Sequence, residues 1–336
     1  MSFMELDRTH VAIRTRSIAE IGDLALMVVR RYPKTLLVGF AALAVPLAML
    51  DIALLAWLPR REAALGLNDA EAGPNLLRYR IWMAALVYTQ APLAGAAATV
   101  YLGRCVFDQK PAWREAFAAT WSRRSALLWS LGVLRGAVPL VAVAAVRFGR
   151  PFEPASDVVL LVMAIGILAM IRALRPYAPE ILLLERCPIY GRNAEITARV
   201  RSSRLHSPIS SELFARYLTS GLVLVGIAGG TMYCLESINS LLLGNRFSGG
   251  LFSLLVLYPT ALWVVAALSV VIRFLGYLDA RIRLEGWDVE LAMRAEAMRR
   301  FGEDGVRGMT DPGAATDSVA KAVGGAVGGA VGGATT

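Results

Sequence analysis

The sequence predicts an all-α fold, a polytopic membrane protein of six transmembrane helices with amphipathic helices at its cytoplasmic interface. Two observations lead to this prediction. Six long apolar runs follow one another, and the segments between them alternate between arginine-rich and arginine-poor. A helix needs roughly 20 predominantly apolar residues to cross the hydrocarbon layer of a bilayer. The runs therefore indicate the fold class, and the alternation indicates the orientation.

The apolar runs, in chain order, are residues 35–58, 81–102, 125–146, 158–174, 217–243 and 251–275. The fourth run is short and ends at Arg172 and Arg175, whose long side chains can extend to the interface. The fifth run carries Glu236 and Asn239 near one end. The alternative is a soluble helical protein, which we disfavour because buried core helices rarely keep an apolar circumference over such lengths.

Lysine and arginine concentrate in alternate connecting segments. Segments 1–34, 103–124 and 172–216 hold six, five and eight of them, and the chain from Arg273 onward holds eight more. The intervening loops, 59–80, 147–157 and 233–250, hold four, two and one. Because cytoplasmic loops carry the excess of positive charge, we place the N-terminus and the C-terminus in the cytoplasm and the chain in a cytoplasmic (inner) membrane.

The net charge of +9 comes mostly from this bias around the apolar runs. Basic residues next to a membrane attract anionic lipid headgroups, so the bilayer and those headgroups are the predicted partners. The same charge is a poor argument for binding nucleic acid, because the basic residues flank the membrane spans.

Residues that carry chemistry are sparse. The histidines, His10 and His206, have no partner at the spacing of metal ligands. The cysteines at 105, 187 and 234 have no paired spacing and are predicted to be small buried residues rather than disulfide partners. The sequence therefore predicts no metal, no cofactor and no enzyme. More than thirty residues precede the first apolar run, which predicts an uncleaved anchor rather than a cleavable signal peptide.

Three cytoplasmic stretches have the pattern of amphipathic helices that lead directly into a span. They are Ile18–Arg31, 111–124 and 190–205. Apolar residues on one side and arginine on the other suit a helix in the headgroup region. The alternative that stays open is a solvated connector packed on the bundle. The arginines of the third stretch are the candidates for binding lipid headgroups: Arg192, Arg199, Arg201 and Arg204.

These stretches also suggest three helix-hairpin repeats, over about residues 17–104, 111–187 and 190–280. The spacings within the units differ, so a bundle without internal duplication is the alternative. The predicted organisation has four parts: a cytoplasmic N-terminus with an amphipathic helix (1–34), a six-span domain (35–276), a cytoplasmic charged helix (277–301) and a tail (302–336). The tail is rich in glycine and alanine, a composition that predicts disorder.

Polar residues within the predicted spans are functional candidates, because they are costly inside a membrane. They are Asp51, Gln90, Arg135 and Glu236. Arg135 lies near the middle of the third run, and Asp51 and Glu236 are its candidate partners. One interpretation is a charge pair that lines a polar pathway or binds a headgroup. The other is a structural pair that joins helices, or a position nearer the interface.

A densely charged motif begins where the last apolar run ends. Its members are Tyr277, Asp279, Arg281, Arg283, Glu285 and Asp288. Asp279 with Arg283, and Arg281 with Glu285, stand four residues apart, a spacing that stabilises a helix by roughly 0.2–0.5 kcal/mol per pair. A salt-bridged exit helix and a binding site are both compatible with this pattern.

The motif at 277–290, together with the stretch that runs from Ala178 through Glu180 to Glu185 and then Arg201 and Ser202, resembles a bacterial multi-pass family. This family is the membrane domain attached to some membrane-anchored glycerophosphoryl diester phosphodiesterases, which also occurs alone. The resemblance covers roughly residues 15–300, with specific motifs over about thirty. It implies a six-span bundle with interfacial helices and no defined activity. The phosphodiesterase reaction belongs to a separate soluble barrel with catalytic histidines, so no catalytic residue carries over.

Three functions are compared on this basis. The first is a non-enzymatic scaffold or accessory protein of the bacterial envelope, which works through lipids and an envelope protein partner. The second is a small-solute or lipid transporter that uses Asp51, Arg135 and Glu236. The third, an intramembrane enzyme, would need a nucleophile–base or metal constellation, and the sequence shows none. The first is the prediction and the second is the alternative.

Overall fold

A computed structural model describes residues 16–65, 69–105, 112–147, 154–189, 197–243 and 250–285, and within these ranges the chain is all-helical. The chain divides into two units. Arg16–Ala280 forms the larger one, and the smaller combines Met1–Thr15 with Arg281–Thr336. The predicted disordered tail, the position of His10 and most of the predicted charged helix lie outside the described residues.

Helix α1 (Ile18–Arg31) begins and ends as the sequence predicts. Ser17 Oγ accepts from the Glu20 backbone N–H while the Glu20 carboxylate accepts from the Ser17 N–H, which forms a capping box. The residues that α1 buries are Ile21, Ala25 and Val28, which share one face. This face packs against the end of the last helix. The amphipathic character of this stretch is thus used for packing on one side.

The first apolar run continues from a π-helical turn (Thr35–Phe40) into α2 (Ala41–Leu55) and α3 (Trp57–Leu65). The second forms α4 (Asp69–Ala94) and α5 (Ala96–Cys105), which meet at Gly95 with a bend of 42° between 75–94 and 96–105. A Cβ at Gly95 would lie 2.3 Å from a methyl carbon of the buried Val270. Glycine at the bend therefore allows close contact with the last helix.

The third run is divided into several pieces. Helix α6 (Trp113–Ser122) is followed by α7 (Arg124–Leu127), a π-helical segment (Leu128–Ala137) and α8 (Val138–Arg147). Helix α6 buries Ala116 and Thr120, whereas Trp113 and Trp121 are more than half exposed. Its aromatic stripe consequently faces outward and its small residues face the bundle.

The second half of the chain supplies the remaining helices. They are α9 (Pro154–Leu174), α10 (Ala178–Leu183), α11 (Ala198–His206), a 3₁₀ turn (Ser207–Ile209), α12 (Ser210–Leu243), α13 (Gly250–Phe252), a π-helical turn (Ser253–Leu257) and α14 (Tyr258–Glu285). The charged motif at Tyr277 belongs to α14, because that helix continues from the last apolar run to Glu285 without a break.

Four helical segments within the described residues are long and apolar enough to cross a membrane. They are Val38–Leu65, Ser156–Leu174, Ala198–Leu242 and Gly250–Leu284, and the bent pair Asn75–Ala94 with Ala96–Cys105 makes a fifth if it is one span. By hydropathy the chain is therefore a candidate multi-pass membrane protein. The third predicted run is not among these segments.

Helix α4 lies at the centre of the described bundle and packs most extensively on α2 and α9. The largest apolar cluster includes the fully buried Tyr79, Met83 and Val270. Helix α12 differs, because large apolar side chains such as Leu222 and Leu241 are 75% and 83% exposed. In water such exposure would be unfavourable, whereas a lipid-facing helix requires it.

Candidate functional site

Seven side chains from four helices form what we call the ion-pair network. They are Glu180 and Glu185 from α10 and the turn after it, Arg201 from α11, Arg216 from α12, and Arg273, Tyr277 and Asp279 from α14. Five of them belong to motifs already singled out in the sequence: Glu180, Glu185, Arg201, Tyr277 and Asp279. The acids lie in sequence far from their partners, so it is the fold that brings the motifs together.

The most deeply buried pair is Glu180 with Arg273. Arg273 Nε donates to Glu180 Oε1 at 2.6 Å, and the Glu180 side chain is fully buried while 16% of the Arg273 side chain is exposed. A buried charge without a partner is strongly unfavourable. Each group therefore depends on the other, and together they join α10 to α14.

Glu185 makes the second node. Its carboxylate accepts from Arg201 through Nε and, at 3.0 Å, through Nη2, and it also accepts from the Tyr277 hydroxyl at 2.7 Å. The two-pronged contact is the geometry that a guanidinium favours with a carboxylate. This node connects α10, α11 and α14.

Asp279 makes the third node and is 2% exposed. One of its oxygens accepts from Arg216 Nη1 at 2.7 Å, and the other accepts from the Arg16 backbone N–H at 2.7 Å. Arg216 also donates to the Arg16 carbonyl at 3.1 Å and pairs with Glu212 at 2.8 Å. The chain entering α1 is thereby fixed to α12 and α14.

Aromatic side chains fill the space between these nodes. The Tyr177 ring stacks on His206 and meets Tyr277 edge-on, with ring centroids 5.6 and 6.1 Å apart. A Cβ at Gly276 would lie 2.8 Å from the Tyr177 hydroxyl oxygen, so only glycine allows this approach without a shift. Burial raises the pKa of Tyr177, which keeps its hydroxyl neutral.

His206 is held as a neutral imidazole by two backbone groups. The Tyr177 backbone N–H donates to His206 Nε2 at 3.2 Å, so Nε2 must be the acceptor. The proton is then on Nδ1, which lies 2.6 Å from the Ser202 carbonyl oxygen. The His206 side chain thus joins α11 to the turn before α10.

The turn after α10 contains a strained residue. Arg186 has a φ of 54°, in the left-handed region that side chains other than glycine rarely adopt. It lies between Glu185 and Cys187. Burial, and next the Glu185 carboxylate, raise the pKa of the Cys187 thiol, which keeps the thiol protonated and weakly nucleophilic.

A second group, which we call the arginine cluster, consists of Arg135, Arg172 and Arg175. Arg172 donates to the Tyr88 and Thr89 carbonyl oxygens at 2.5 and 3.0 Å, and its guanidinium lies 4.2 Å from the centre of the Tyr88 ring. Arg135 donates to the Arg175 carbonyl through both terminal nitrogens at 3.1 Å and to the Ile171 carbonyl at 3.4 Å. The partners are main-chain dipoles and an aromatic ring.

Local breaks in two helices make these carbonyls available. The Tyr88 carbonyl would normally accept from the N–H four residues later, but that residue is Pro92, which has none. At the end of α9 the Arg175 N–H bonds instead to the Arg172 carbonyl at 3.2 Å, which leaves the Ile171 carbonyl open. The two arginines satisfy carbonyls that the helices leave unpaired.

The arginine cluster has an excess of positive charge. Across the described residues, none of its three guanidinium groups pairs with a carboxylate, although the charges of Arg172 and Arg175 both act on Arg135. The side chain of Arg175 is exposed. Tyr88 and Tyr217 border the cluster, and their hydroxyl groups are hydrogen-bonded to each other.

The predicted intramembrane charge set is not assembled, and the prediction that Asp51 or Glu236 would pair with Arg135 is wrong. Arg135 reaches the end of α9, where carbonyls satisfy it. Asp51 is fully buried and accepts from Gln90 Nε2 at 2.6 Å, while Glu236 accepts from the Ser253 hydroxyl at 2.7 Å. The sequence pattern could not show this, because every residue carries a backbone carbonyl and residue type does not mark the one that accepts from Arg135.

The four predicted headgroup arginines have different environments. Arg199 and Arg204 are exposed on α11, as a headgroup contact requires. Arg201 pairs with Glu185, and its assignment to a lipid headgroup stays a prediction. Arg192 lies outside the described residues.

The members of the densely charged motif that begins at Tyr277 also have different environments. Tyr277 and Asp279 belong to the ion-pair network, and Arg281 and Arg283 are half-buried on the last turns of α14. Asp288 and the side chain of Glu285 lie outside the described residues. Glu180 and Glu185 were not predicted as site residues, although the resemblance had drawn attention to their stretch.

In the ranges that the structure describes, no group of three or more histidine, cysteine, aspartate or glutamate residues is arranged to hold a metal ion. The cysteines differ in burial: Cys105 is buried, as predicted, Cys187 is half-buried, and Cys234 is exposed, contrary to the prediction. The chain matches no protein-family model, no curated protein and no solved structure.

Proposed function

We propose that this chain is a non-enzymatic scaffold or accessory protein of a bacterial inner membrane, which works through anionic lipids and an envelope protein partner. The observation that carries this proposal is the ion-pair network. It joins α10, α11, α12 and α14 through paired charges and holds the main chain at the start of α1 by hydrogen bonds, which suits a rigid platform. Its acids are paired with arginines, an arrangement that stabilises structure rather than poising a group for catalysis.

The platform presents charge on its outer side. Helix α11 is held by Arg201 and His206 on its inner side, while Arg199 and Arg204 are exposed. In α6 the exposed Trp113 and Trp121 accompany Arg114, and the exposed Arg124 follows at the start of α7. Exposed aromatic and basic side chains on short helices suit the level of lipid headgroups.

The proposed topology has six spans with both termini in the cytoplasm. The bent pair α4 and α5 would be one crossing, and the third run, through α7, the π-helical segment and α8, would be another. The positive bias of the connecting segments supports this orientation. The proposal also includes the three helix-hairpin repeats and the relationship to the membrane domain of glycerophosphoryl diester phosphodiesterases. The relationship is supported by the contacts between the two motifs that carry the resemblance, since Glu185 of the first accepts from Tyr277 of the second.

The topology is tested by labelling single cysteines in intact cells with a membrane-impermeant thiol reagent. The three native cysteines are first replaced by serine or alanine. Ala63→Cys, in α3, should react from outside, and Ala112→Cys, before α6, should react only after the membrane is opened. Labelling of Ala112→Cys from outside would contradict the orientation.

The lipid part is tested with Arg199→Gln/Arg204→Gln. Native mass spectrometry of the full chain, extracted with its lipids, should show fewer retained anionic phospholipids, and the difference should shrink at high salt. The matched control is Arg60→Gln/Arg61→Gln, which removes the same charge from exposed positions in α3. Equal retention in wild type and the α11 variant would remove the lipid part of the proposal.

The transporter alternative receives no support from these contacts, because Asp51, Arg135 and Glu236 have separate partners. A protein partner is identified by crosslinking in cells followed by purification of the full chain. The scaffold proposal expects one envelope protein to be recovered reproducibly, and recovery of a small solute instead would favour transport.

A further inference from the structure

We propose that Arg135, Arg172 and Arg175 form a binding site for a phosphate group, carried by a lipid headgroup or free in solution. The inference rests on the proposed function in one respect, since it takes this level of the bundle to be that of the headgroups. The site is distinct from the α11 arginines, because Arg135 lies in the π-helical segment Leu128–Ala137 and Arg172 and Arg175 lie at the end of α9.

The arginine cluster carries positive charge that no carboxylate of the described residues balances. Arg135 donates to carbonyls at the end of α9, where Arg172 and Arg175 lie, so three arginines from two chain segments stand near one another. Arginine remains protonated under all ordinary conditions. Arg273, a fourth nearby cation, already has Glu180 as its partner. Among the described residues the cluster therefore carries an excess of positive charge that the protein itself does not neutralise.

The carbonyl contacts do not remove this excess. Carbonyl dipoles satisfy the hydrogen-bonding groups of Arg135 and Arg172, and the C-terminus of α9 contributes the equivalent of only about half a negative charge. Positive charge that is partly removed from water is unfavourable unless an anion accompanies it. An anion bound from outside would supply what Glu180, Glu185 and Asp279 supply in the ion-pair network.

A ligand from outside can reach the arginine cluster at Arg175. The side chain of Arg175 is exposed, and no hydrogen bond or ion pair joins its guanidinium to a described residue. Arg135 and Arg172 are half-buried behind it. A ligand that approaches Arg175 therefore meets two further positive charges behind it.

The donors of the arginine cluster indicate the chemical class of the ligand. A guanidinium presents its donors as a planar fork that matches the oxygens of a phosphate. The hydroxyl groups of Tyr88 and Tyr217 share one hydrogen bond, so one of their two protons is left to donate to a ligand oxygen. Phosphate groups are also the most abundant anions at a membrane surface, where the end of α9 would lie.

The test measures thermal unfolding of the full chain in an uncharged detergent. The ligands are phosphatidylglycerol, an uncharged galactolipid with the same acyl chains, and sodium phosphate against sodium chloride at matched ionic strength. A ligand that binds the folded state raises the unfolding midpoint in proportion to its affinity. The variants are Arg175→Gln, Arg175→Lys and, as a control at another exposed arginine, Arg60→Gln.

We expect phosphatidylglycerol to raise the midpoint of wild type more than the galactolipid does. Arg175→Gln should need about fivefold more phosphatidylglycerol for the same rise, whereas Arg175→Lys should recover most of the affinity. Arg60→Gln should behave as wild type. Because the Arg175 side chain is exposed and has no described hydrogen bond or ion pair, the substitution should leave the fold intact, which the midpoint without ligand verifies.

The two sources of phosphate are separated by the same titrations. A rise that depends on Arg175 with phosphatidylglycerol alone identifies a lipid headgroup, and an Arg175-dependent rise with sodium phosphate as well identifies free phosphate. Equal responses of wild type and Arg175→Gln to both ligands would overturn the proposal. Failure of the Arg199 and Arg204 variants to affect lipid retention would count against the headgroup function of α11 and leave this site standing.

Discussion

The ion-pair network and the arginine cluster both gather arginine between helices of one bundle, but they neutralise it differently. In the network Arg201, Arg216 and Arg273 each have a carboxylate partner. In the arginine cluster Arg135 and Arg172 are satisfied by carbonyl oxygens, and Arg175 has no described partner. The charges of the first group are paired with carboxylates within the protein, and those of the second would be balanced by an anion from outside.

The difference separates a structural role from a binding role. A buried carboxylate–guanidinium pair contributes little to net stability but fixes geometry, because the loss of either partner leaves the other charge unpaired. A positive group satisfied only by dipoles still attracts an anion. Substitutions in the two regions should therefore change the stability of the protein by different amounts and even in opposite directions.

The largest effect is expected for Glu180→Gln. It leaves Arg273 without a carboxylate in a mostly buried position, which should lower the free energy of unfolding by about 3–5 kcal/mol. Titration of the protein in mixed micelles with a denaturing detergent measures this. The control is Glu115→Gln, since Glu115 pairs with Arg104 in an exposed position, and it should cost less than about 1 kcal/mol. Equal losses in the two variants would show that the buried pair is not special.

Tyr277→Phe should cost less. It removes the hydroxyl that donates to Glu185 but leaves the Arg201 pair in place, so we expect a loss of about 1.5 kcal/mol in the same titration. Tyr233→Phe is the control, because Tyr233 is 73% exposed, and it should leave stability unchanged. A Tyr277→Phe variant as stable as wild type would remove this hydrogen bond from the account.

Two substitutions at Arg186 measure the backbone strain in the turn after α10. Arg186→Gly relieves the left-handed conformation and Arg186→Ala does not, although both remove the same side chain. The glycine variant should be more stable than the alanine variant by about 1 kcal/mol, as measured in the same micelle titration. The reverse order would mean that the turn is not strained.

The smallest effect, and the one with opposite sign, is expected in the arginine cluster. In detergent free of phosphate and lipid, Arg175→Gln reduces repulsion among like charges, so its thermal unfolding midpoint should equal or exceed that of wild type by about 1 °C. A clear decrease would show that Arg175 has a structural role like that of Arg273.

The sequence predicts local features well because they depend on neighbouring residues. Helix α1 has the predicted bounds, since the capping residues Ser17 and Glu20 and the breaking residue Pro33 all lie within or beside it. The apolar runs likewise predict the all-helical fold and most of the candidate spans. The third run, which contains Arg135 and Pro139, is divided into pieces that its hydropathy did not indicate.

Long-range partners could not be predicted in the same way. Glu180 and Arg273 are 93 residues apart, and nothing local distinguishes Glu180 from an exposed glutamate. Arg135 has main-chain carbonyl partners, whereas its charge alone predicts an acidic side chain. Pro92 was a usable signal, since a proline in a helix leaves the carbonyl four residues before it open to a donor such as Arg172.

The central claim is that the arginine cluster is completed by a phosphate group from outside the protein. Native mass spectrometry of wild type, Arg175→Gln and Arg60→Gln, each extracted with its own lipids, tests it most directly. The account predicts a phosphate-bearing adduct, phospholipid or free phosphate, on wild type and Arg60→Gln that is depleted on Arg175→Gln. The same adducts in the same proportions on all three proteins would contradict it.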